Sequence, residues 1–315
     1  MTSPSLVTEH LTKKFGTFTA LSSLDLKIEG AKCLGFLGPN GAGKTTTLKM
    51  MTDMIFPTRG EVFINGTSVQ RNRKQALAQA GVLIETPEIY ASLSPKEALS
   101  MVADLRGVPH DLRDQRIHQV LADVKMTEWA NHKVGTFSKG MKQRINIAAA
   151  LVHDPPVLLL DEPSSGLDPR GMAEVREIIR GLKRGSRLIF MSSHILSEVS
   201  DVCDEVALLD HGKLLLHDTL ANVQSKFSSS ESIVDVGFAQ TVDDAALRSE
   251  LAPLSGISGW DRLDPQRVRL RIAGGTDAQS RLFQQVAALP LRPISFTPAQ
   301  NALEATYLSL ISKGD

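Results

Sequence analysis

The chain has 315 residues, 42% of them hydrophobic and 22% charged, with 35 basic side chains balanced by 35 acidic ones. That length exceeds the ~100–150 residues of an average domain and predicts one large domain plus a smaller one. The composition excludes a disordered chain, the zero net charge argues against a nucleic-acid partner, and no run approaches the ~18–20 apolar residues that span a bilayer. Cys33 and Cys203 are the only cysteines and lie in no metal-ligand spacing, so neither a disulfide framework nor a zinc site is expected and a reducing cytosol fits. From Met1 to Phe15 no basic stretch precedes an apolar core, so no secretory signal is expected.

In chain order, Lys32 to Leu37 is a compact apolar run that reads as a buried central strand. It feeds Gly38-Pro39-Asn40-Gly41-Ala42-Gly43-Lys44-Thr45, which fits G-x-x-x-x-G-K-[ST] and opens a helix marked by Leu48, Met51 and Ile55. Glycines let such a loop curl until successive N–H groups point at phosphate oxygens, and the helix N-terminus adds its partial positive charge. Lys44 should then contact the β- and γ-phosphates and the Thr45 hydroxyl should ligate Mg²⁺. From about Leu93 to Phe137 the pattern is helical: Ser94-Pro95-Lys96-Glu97 supplies an N-cap, a proline at N1 and a glutamate at N3, and Ile117, Val120, Leu121 and Val124 form an apolar stripe.

Val157 to Leu160 is a second apolar strand, ending in Asp161-Glu162. Two carboxylates at the carboxyl edge of a parallel sheet lie where ligands of open α/β sheets bind, so Asp161 is expected to hold Mg²⁺ and Glu162 to act as general base. A helix with Val175, Ile178, Ile179 and Leu182 follows, then the strand Leu188 to Met191, which delivers His194 to the same edge as a γ-phosphate contact. Ser228-Ser229-Ser230 reads as a linker. Beyond it, Val234, Val236, Phe238 and Val268, Leu270, Ile272 alternate as strands, with Arg267, Arg269 and Arg271 on the opposite face, and Ala278, Leu282 and Val286 keep helical spacing.

These motifs, in this order from about Leu6 to Phe227, resemble the ABC transporter ATPase family. Phe137-Ser138-Lys139-Gly140-Met141 is similar to that family's L-S-G-G-Q signature. The resemblance implies an α/β P-loop NTPase core with a helical insertion at about 93–150, spanning 1–227, followed by a small α+β accessory module at 231–315. It also implies ATP and Mg²⁺ as ligands and a head-to-tail homodimer in which Ser138, Lys139, Gly140 and Met141 reach the partner's ATP. The expected nucleotide-binding set is Phe15, stacking on adenine, with Gly38, Pro39, Asn40, Gly41, Ala42, Gly43, Lys44, Thr45 and Thr46; Glu162 and His194 are the catalytic pair. Asp168 matches a loop that couples the two sites, and Glu85 stands where the family has a glutamine linking metal to the membrane partner, so Thr45, Asp161 and Glu85 form the metal set.

Glu85, Lys139 and Met141 depart from the common pattern, with Lys139 adding a cation near phosphate. Glu85 and the S-x-G-M form are similar to the branch containing bacitracin, daunorubicin and lantibiotic resistance ATPases. The run Asn301 to Leu308 is close to that branch's C-terminal pattern. The implied function is ATP-driven export through a separate membrane permease, at the cytoplasmic face of the membrane. A ribosome- or DNA-directed ATPase of the same family is disfavoured by the single uninterrupted cassette, and an inactive cassette by the presence of Lys44, Asp161, Glu162 and His194.

Overall fold

A computed structural model describes residues 3–85, 89–183, 185–227, 231–274 and 276–298. The linker at 228–230 and the run at 301–308 lie outside the described residues. The chain divides into two compact units, Met1–Asp218 and Thr219–Asp315. This break precedes the expected linker by one helix.

The first unit opens with an antiparallel hairpin, β1 (Ser5–Phe15) and β2 (Phe18–Glu29), closed by a turn with Gly16 at φ +58 so that Phe15 and Phe18 pair across its end. Register shifts along β1 break the period-two alternation, so these strands are poorly marked in the sequence. Next come β3 (Cys33–Leu37), α1 (Lys44–Met51), β4 (Arg59–Ile64), β5 (Thr67–Ser68), α2 (Arg73–Leu77) and β6 (Ala80–Leu83). Helix α1 stops four residues short of Ile55, because Thr52 caps it and Asp53 turns left-handed at φ +56; Ile55 still packs on the core as a loop residue.

The insertion holds α3 (Pro95–Leu105), α4 (His110–Asp123) and α5 (Lys139–Leu151). Ser94 and Glu97 form the expected capping box: the Glu97 amide donates to Ser94 Oγ at 3.3 Å and the Ser94 amide to Glu97 Oε2 at 2.7 Å. These bonds from Ser94, with Lys133 adding to them, pull the exposed Glu97 carboxyl down to about 2. The unit continues with β7 (Val157–Asp161), α6 (Pro169–Lys183), β8 (Leu188–Ser193), α7 (Leu196–Val202), β9 (Glu205–Asp210) and β10 (Lys213–Thr219).

Strands β2-β1-β4-β5 make an antiparallel sheet, and β10-β9-β3-β8-β7-β6 make a six-stranded one in which β6, β7, β8, β3 and β9 run parallel. Phe36 and Phe190 meet inside this frame with ring centroids 5.1 Å apart. Strands β3, β7 and β8 are buried along their whole length, which is why they read as continuous apolar runs rather than alternating ones. Their common carboxyl edge carries Gly38, Glu162 and His194, residues distant in sequence.

His153, just past α5, places Nε2 3.1 Å from the carbonyl of Ala80. Burial, then the positive charge of Arg106, holds its imidazole down at about 4 instead of the ordinary 6.5. A histidine kept neutral in the fold but free to protonate when unfolded favours the unfolded chain in acid. Stability should therefore fall as pH drops from 6.5 towards 4. Urea titrations across that window should show a shallower decline for His153→Gln than for the parent.

The second unit contains α8 (Leu220–Phe227), β11 (Glu231–Phe238), α9 (Asp244–Leu251), β12 (Ile257–Asp264), β13 (Arg267–Ala273), α10 (Thr276–Ala287) and β14 (Pro293–Pro298). From β11 onward the connectivity is βαββαβ, with sheet order β12-β13-β11-β14 and antiparallel pairing, the split βαβ arrangement of ferredoxin-like folds. Val234, Val236, Phe238, Val268, Leu270, Ile272, Leu282 and Val286 fill its core. On the opposite face Arg267, Arg269 and Arg271 pair with Asp264, Asp235 and Asp261, so the arginine row is a neutralised charge ladder.

Candidate active site

The loop Gly38–Thr45 joins β3 to α1, and its glycines are required by space as well as by backbone conformation. A Cβ at Gly38 would collide with the Leu209 carbonyl, and one at Gly43, where φ is +107, would lie 2.5 Å from the Ala20 carbonyl. Gly43 is the N-cap of α1, with no side chain covering the first amides of the helix. Lys44 is 5% exposed and curls back over the loop, donating to the carbonyls of Gly38 at 2.8 Å and Pro39 at 3.1 Å. Its Nζ also lies 3.4 Å from Glu162 Oε1. A cavity of about 320 Å³ opens here, lined by Phe15, Phe18, Asn40, Gly41, Gly43, Lys44, Thr45, Thr46 and Glu162, together with Ala20.

Strand β7 presents its two terminal carboxylates differently. Asp161 still belongs to the strand and is buried, whereas Glu162 turns left-handed at φ +43 and points its carboxylate into the cavity. That reversal is a conformation non-glycine residues adopt at a cost, here held by the neighbouring strand. Ser192 on β8 sits opposite Asp161, donates to Asp161 Oδ1 at 2.5 Å and accepts the Glu162 amide at 2.9 Å. Glu162 Oε2 lies 3.1 Å from His194 Nδ1. Lys44, Glu162 and His194 thus form one chain of contacts at the mouth of the cavity, with an acceptor placed between two potential donors.

Ser192 was visible in the sequence only as a polar residue at the end of an apolar strand. It is fully buried and satisfies both an acidic oxygen and a backbone amide. Ser192→Ala leaves both unpaired, so a stability loss of about 1–3 kcal/mol is expected in urea unfolding. Phe18 was also missed. It is 63% exposed beside Phe15, itself 51% exposed, so the pair sets two large apolar surfaces in water at the cavity rim. Its signal was the F-G-T-F spacing of a tight hairpin. Lys13 already covers one side of Phe15, its ammonium 4.9 Å from the ring centroid.

Other expected residues lie outside the cavity lining. Ser138 caps α5 and accepts the Met141 amide at 3.2 Å; Lys139 and Gly140 are in the first turn of that helix, which carries no acidic residue there. The Lys139 ammonium lies against Gly166. Gln143, one turn further on, donates to the Pro163 carbonyl at 2.8 Å, tying α5 to the segment after Glu162. Asp168 accepts the Gly171 amide at 3.1 Å at the start of α6, a capping contact. Glu85, left-handed at φ +55, is paired with Lys49 on α1 at 2.5 Å.

This arrangement can hold a polyphosphate on bare amides and a buried ammonium, beside a carboxylate poised for proton transfer. Residues 21–165 match the ABC transporter family. The bacitracin transport ATP-binding protein BcrA of Bacillus licheniformis is 41% identical over 209 residues, covering 66% of this chain and 67% of that protein. The chain belongs to the ABC transporter ATP-binding family. The linearmycin resistance ATP-binding protein LnrL of Bacillus subtilis is 31% identical over 72% of this chain and 73% of its own length. A solved ATP-binding subunit of an ABC transporter superposes with a TM-score of 0.63 at 28% identity, covering 70% of this chain and 92% of that one. The ABC cassette therefore binds ATP and is an ATPase, on the α/β P-loop core expected. Among the described residues, no helix is long and apolar enough to cross a membrane.

Proposed function

We propose that this ABC ATPase is the motor of an exporter: two copies close head to tail around two ATP molecules and drive a separate membrane permease, to which they attach at the cytoplasmic face. The observation that carries the reading is the Glu162 carboxylate held between Lys44 and His194 at a phosphate-sized cradle. In this reading the loop Gly38 to Thr46, through the N–H groups that follow Pro39, and the Lys44 ammonium bind the phosphates, while Phe15, with Phe18 beside it, stacks on the base. Glu162 takes a proton from the attacking water, and His194 orients Glu162 and contacts the γ-phosphate. Ser138, Lys139, Gly140 and Met141 serve the partner's ATP, with Lys139 supplying a positive charge that the family's usual glycine lacks. Asp168 and Glu85 carry coupling, between the two sites and towards the permease. We read 1–227 as the ATPase domain and 231–315 as an accessory module.

Oxygen donors suit Mg²⁺, and Thr45, Asp161 and Glu85 are the residues to hold it. When bound, the ion neutralises charge on the phosphates. Among the described residues no three acidic, histidine or cysteine side chains form a cage, which fits a cation held largely by the nucleotide and water. The relatives named for bacitracin transport and linearmycin resistance support export of an antibiotic-like cargo.

Co-purification of the tagged chain from its native membranes, followed by an ATPase assay, tests the proposal. Recovery of a polytopic permease that stimulates hydrolysis is the expected result. Recovery of ribosomes or DNA-bound partners in its place would overturn the transport reading while leaving the ATPase intact.

A further inference from the structure

The two cysteines, 170 residues apart in the chain, meet in the fold: Cys33 Sγ and Cys203 Sγ are 3.4 Å apart. Cys33 is the first residue of β3, the strand that runs into the phosphate cradle. Cys203 caps the C-terminus of α7, the helix that begins two residues after His194. Asp204, next to Cys203, ties the two cysteines' segments together through its backbone and its side chain. The Asp204 amide donates to the Cys33 carbonyl at 2.8 Å, and the Cys33 amide donates to Asp204 Oδ2 at 2.9 Å. Lys183 then pins Asp204 at 2.6 Å. Gly35, two residues along β3, lets α7 come down onto the strand, since a Cβ there would collide with Val199 and lie 3.1 Å from Cys203 Sγ.

A disulfide needs its sulfurs at about 2.05 Å, so closing this pair asks for roughly 1.4 Å of movement, within reach of side-chain rotation. Both thiols are free, Cys33 fully buried and Cys203 7% exposed. Because these are the chain's only cysteines, no other intramolecular pairing competes.

We propose that Cys33 and Cys203 form an oxidative modification site, a dithiol that hydrogen peroxide converts to a disulfide stapling β3 to the end of α7. Cys203, the less deeply buried residue of the two, takes the first oxygen: its sulfur attacks the O–O bond of hydrogen peroxide, giving a sulfenic acid and releasing water. Cys33 then attacks that sulfur, the S–O bond breaks and a second water leaves, so two thiols and one peroxide yield one disulfide and two waters. Burial, and then the neighbouring Cys33, push the Cys203 thiol up, which keeps the pair reduced in mild conditions and makes closure slow. The staple closes a loop of 170 residues, long enough to remove substantial freedom from the unfolded chain. It would hold together the strand that feeds the cradle and the helix that follows the catalytic histidine when the cell is oxidising.

The test uses the full-length chain, freed of reductant and treated with hydrogen peroxide while folded. Intact mass, thiol titration in denaturant and thermal melting are read on the same sample, with and without later dithiothreitol. The expected product is a monomer about 2 Da lighter with no free thiols. Its melting point should rise on the order of 10 °C and fall back on reduction. Two thiols persisting until the chain is unfolded would overturn the proposal, as would mass gains of whole oxygens without a cross-link, or cross-linked dimers. A cross-linked monomer with an unchanged melting point would overturn the stapling role. Cys203→Ser should abolish the mass loss; because the central measurement is made on the unmodified protein, it stands even if that variant folds poorly.

Discussion

Replacing Lys44 with alanine is expected to weaken ATP binding by about 100- to 1,000-fold, equivalent to roughly 3–4 kcal/mol. The side chain is nearly enclosed, and its three donors face two loop carbonyls and the Glu162 carboxylate. These contacts hold the ammonium against the loop and Glu162; in the proposed reading, arriving phosphate oxygens replace the carboxylate as its partner. Without it, Glu162 remains as an uncompensated negative charge beside the nucleotide, so an attraction is lost and a repulsion is exposed. Titration with a fluorescent ATP analogue checks the effect, with thermal melting to show that the fold persists. Binding within threefold of the parent would remove Lys44 from the phosphate site. Lys44→Arg should recover little, because a planar guanidinium does not fit a space shaped for a compact ammonium.

Glu162→Gln should do the opposite to binding and chemistry. The substitution keeps shape and leaves an amide that can still accept from Lys44, but it removes the proton acceptor, and general bases contribute typically about 10²–10⁴-fold to rate. Phosphate release should therefore drop by that factor while ATP affinity is retained or improved, since one negative charge next to the phosphates is gone. If two chains close around ATP as proposed, the variant should also accumulate as a nucleotide-dependent dimer on gel filtration. Unchanged turnover would sink the general-base assignment; slow turnover without a dimer would keep it and sink the closed-dimer reading. Combining this variant with Lys139→Gln separates the contribution of the signature lysine. A cation facing the partner's phosphates should make the dimer more salt-sensitive with Lys139 than without it.

Relating the two experiments is the geometry around Glu162, which ties binding to chemistry. One carboxylate oxygen faces the Lys44 ammonium and the other faces His194, so in the proposed reading nucleotide arrival changes the partner of the first while leaving the second in place. Ser192 fixes the turn that makes this arrangement available, and its loss should be felt in stability and activity together.

The sequence by itself determined whatever depends on neighbouring residues. Eight consecutive residues from Gly38 to Thr45 specify the cradle, because the glycine conformations and the following helix are local properties. The capping box at Ser94 to Glu97 and the strand ending in Asp161-Glu162 are legible for the same reason. The helical insertion and the apolar central strands follow from periodicity, which reports burial without needing a partner. Tertiary structure decided whatever depends on which strands become neighbours. Only the adjacency of β7 and β8 makes Ser192 the support of Asp161 and Glu162, and only the packing of α7 on β3 at Gly35 brings Cys33 to Cys203. The pairing of Glu85 with Lys49 and the strand order of the second unit belong to the same class. Strand order is set by a global competition among apolar faces for burial, and no window of sequence contains both sides of that choice.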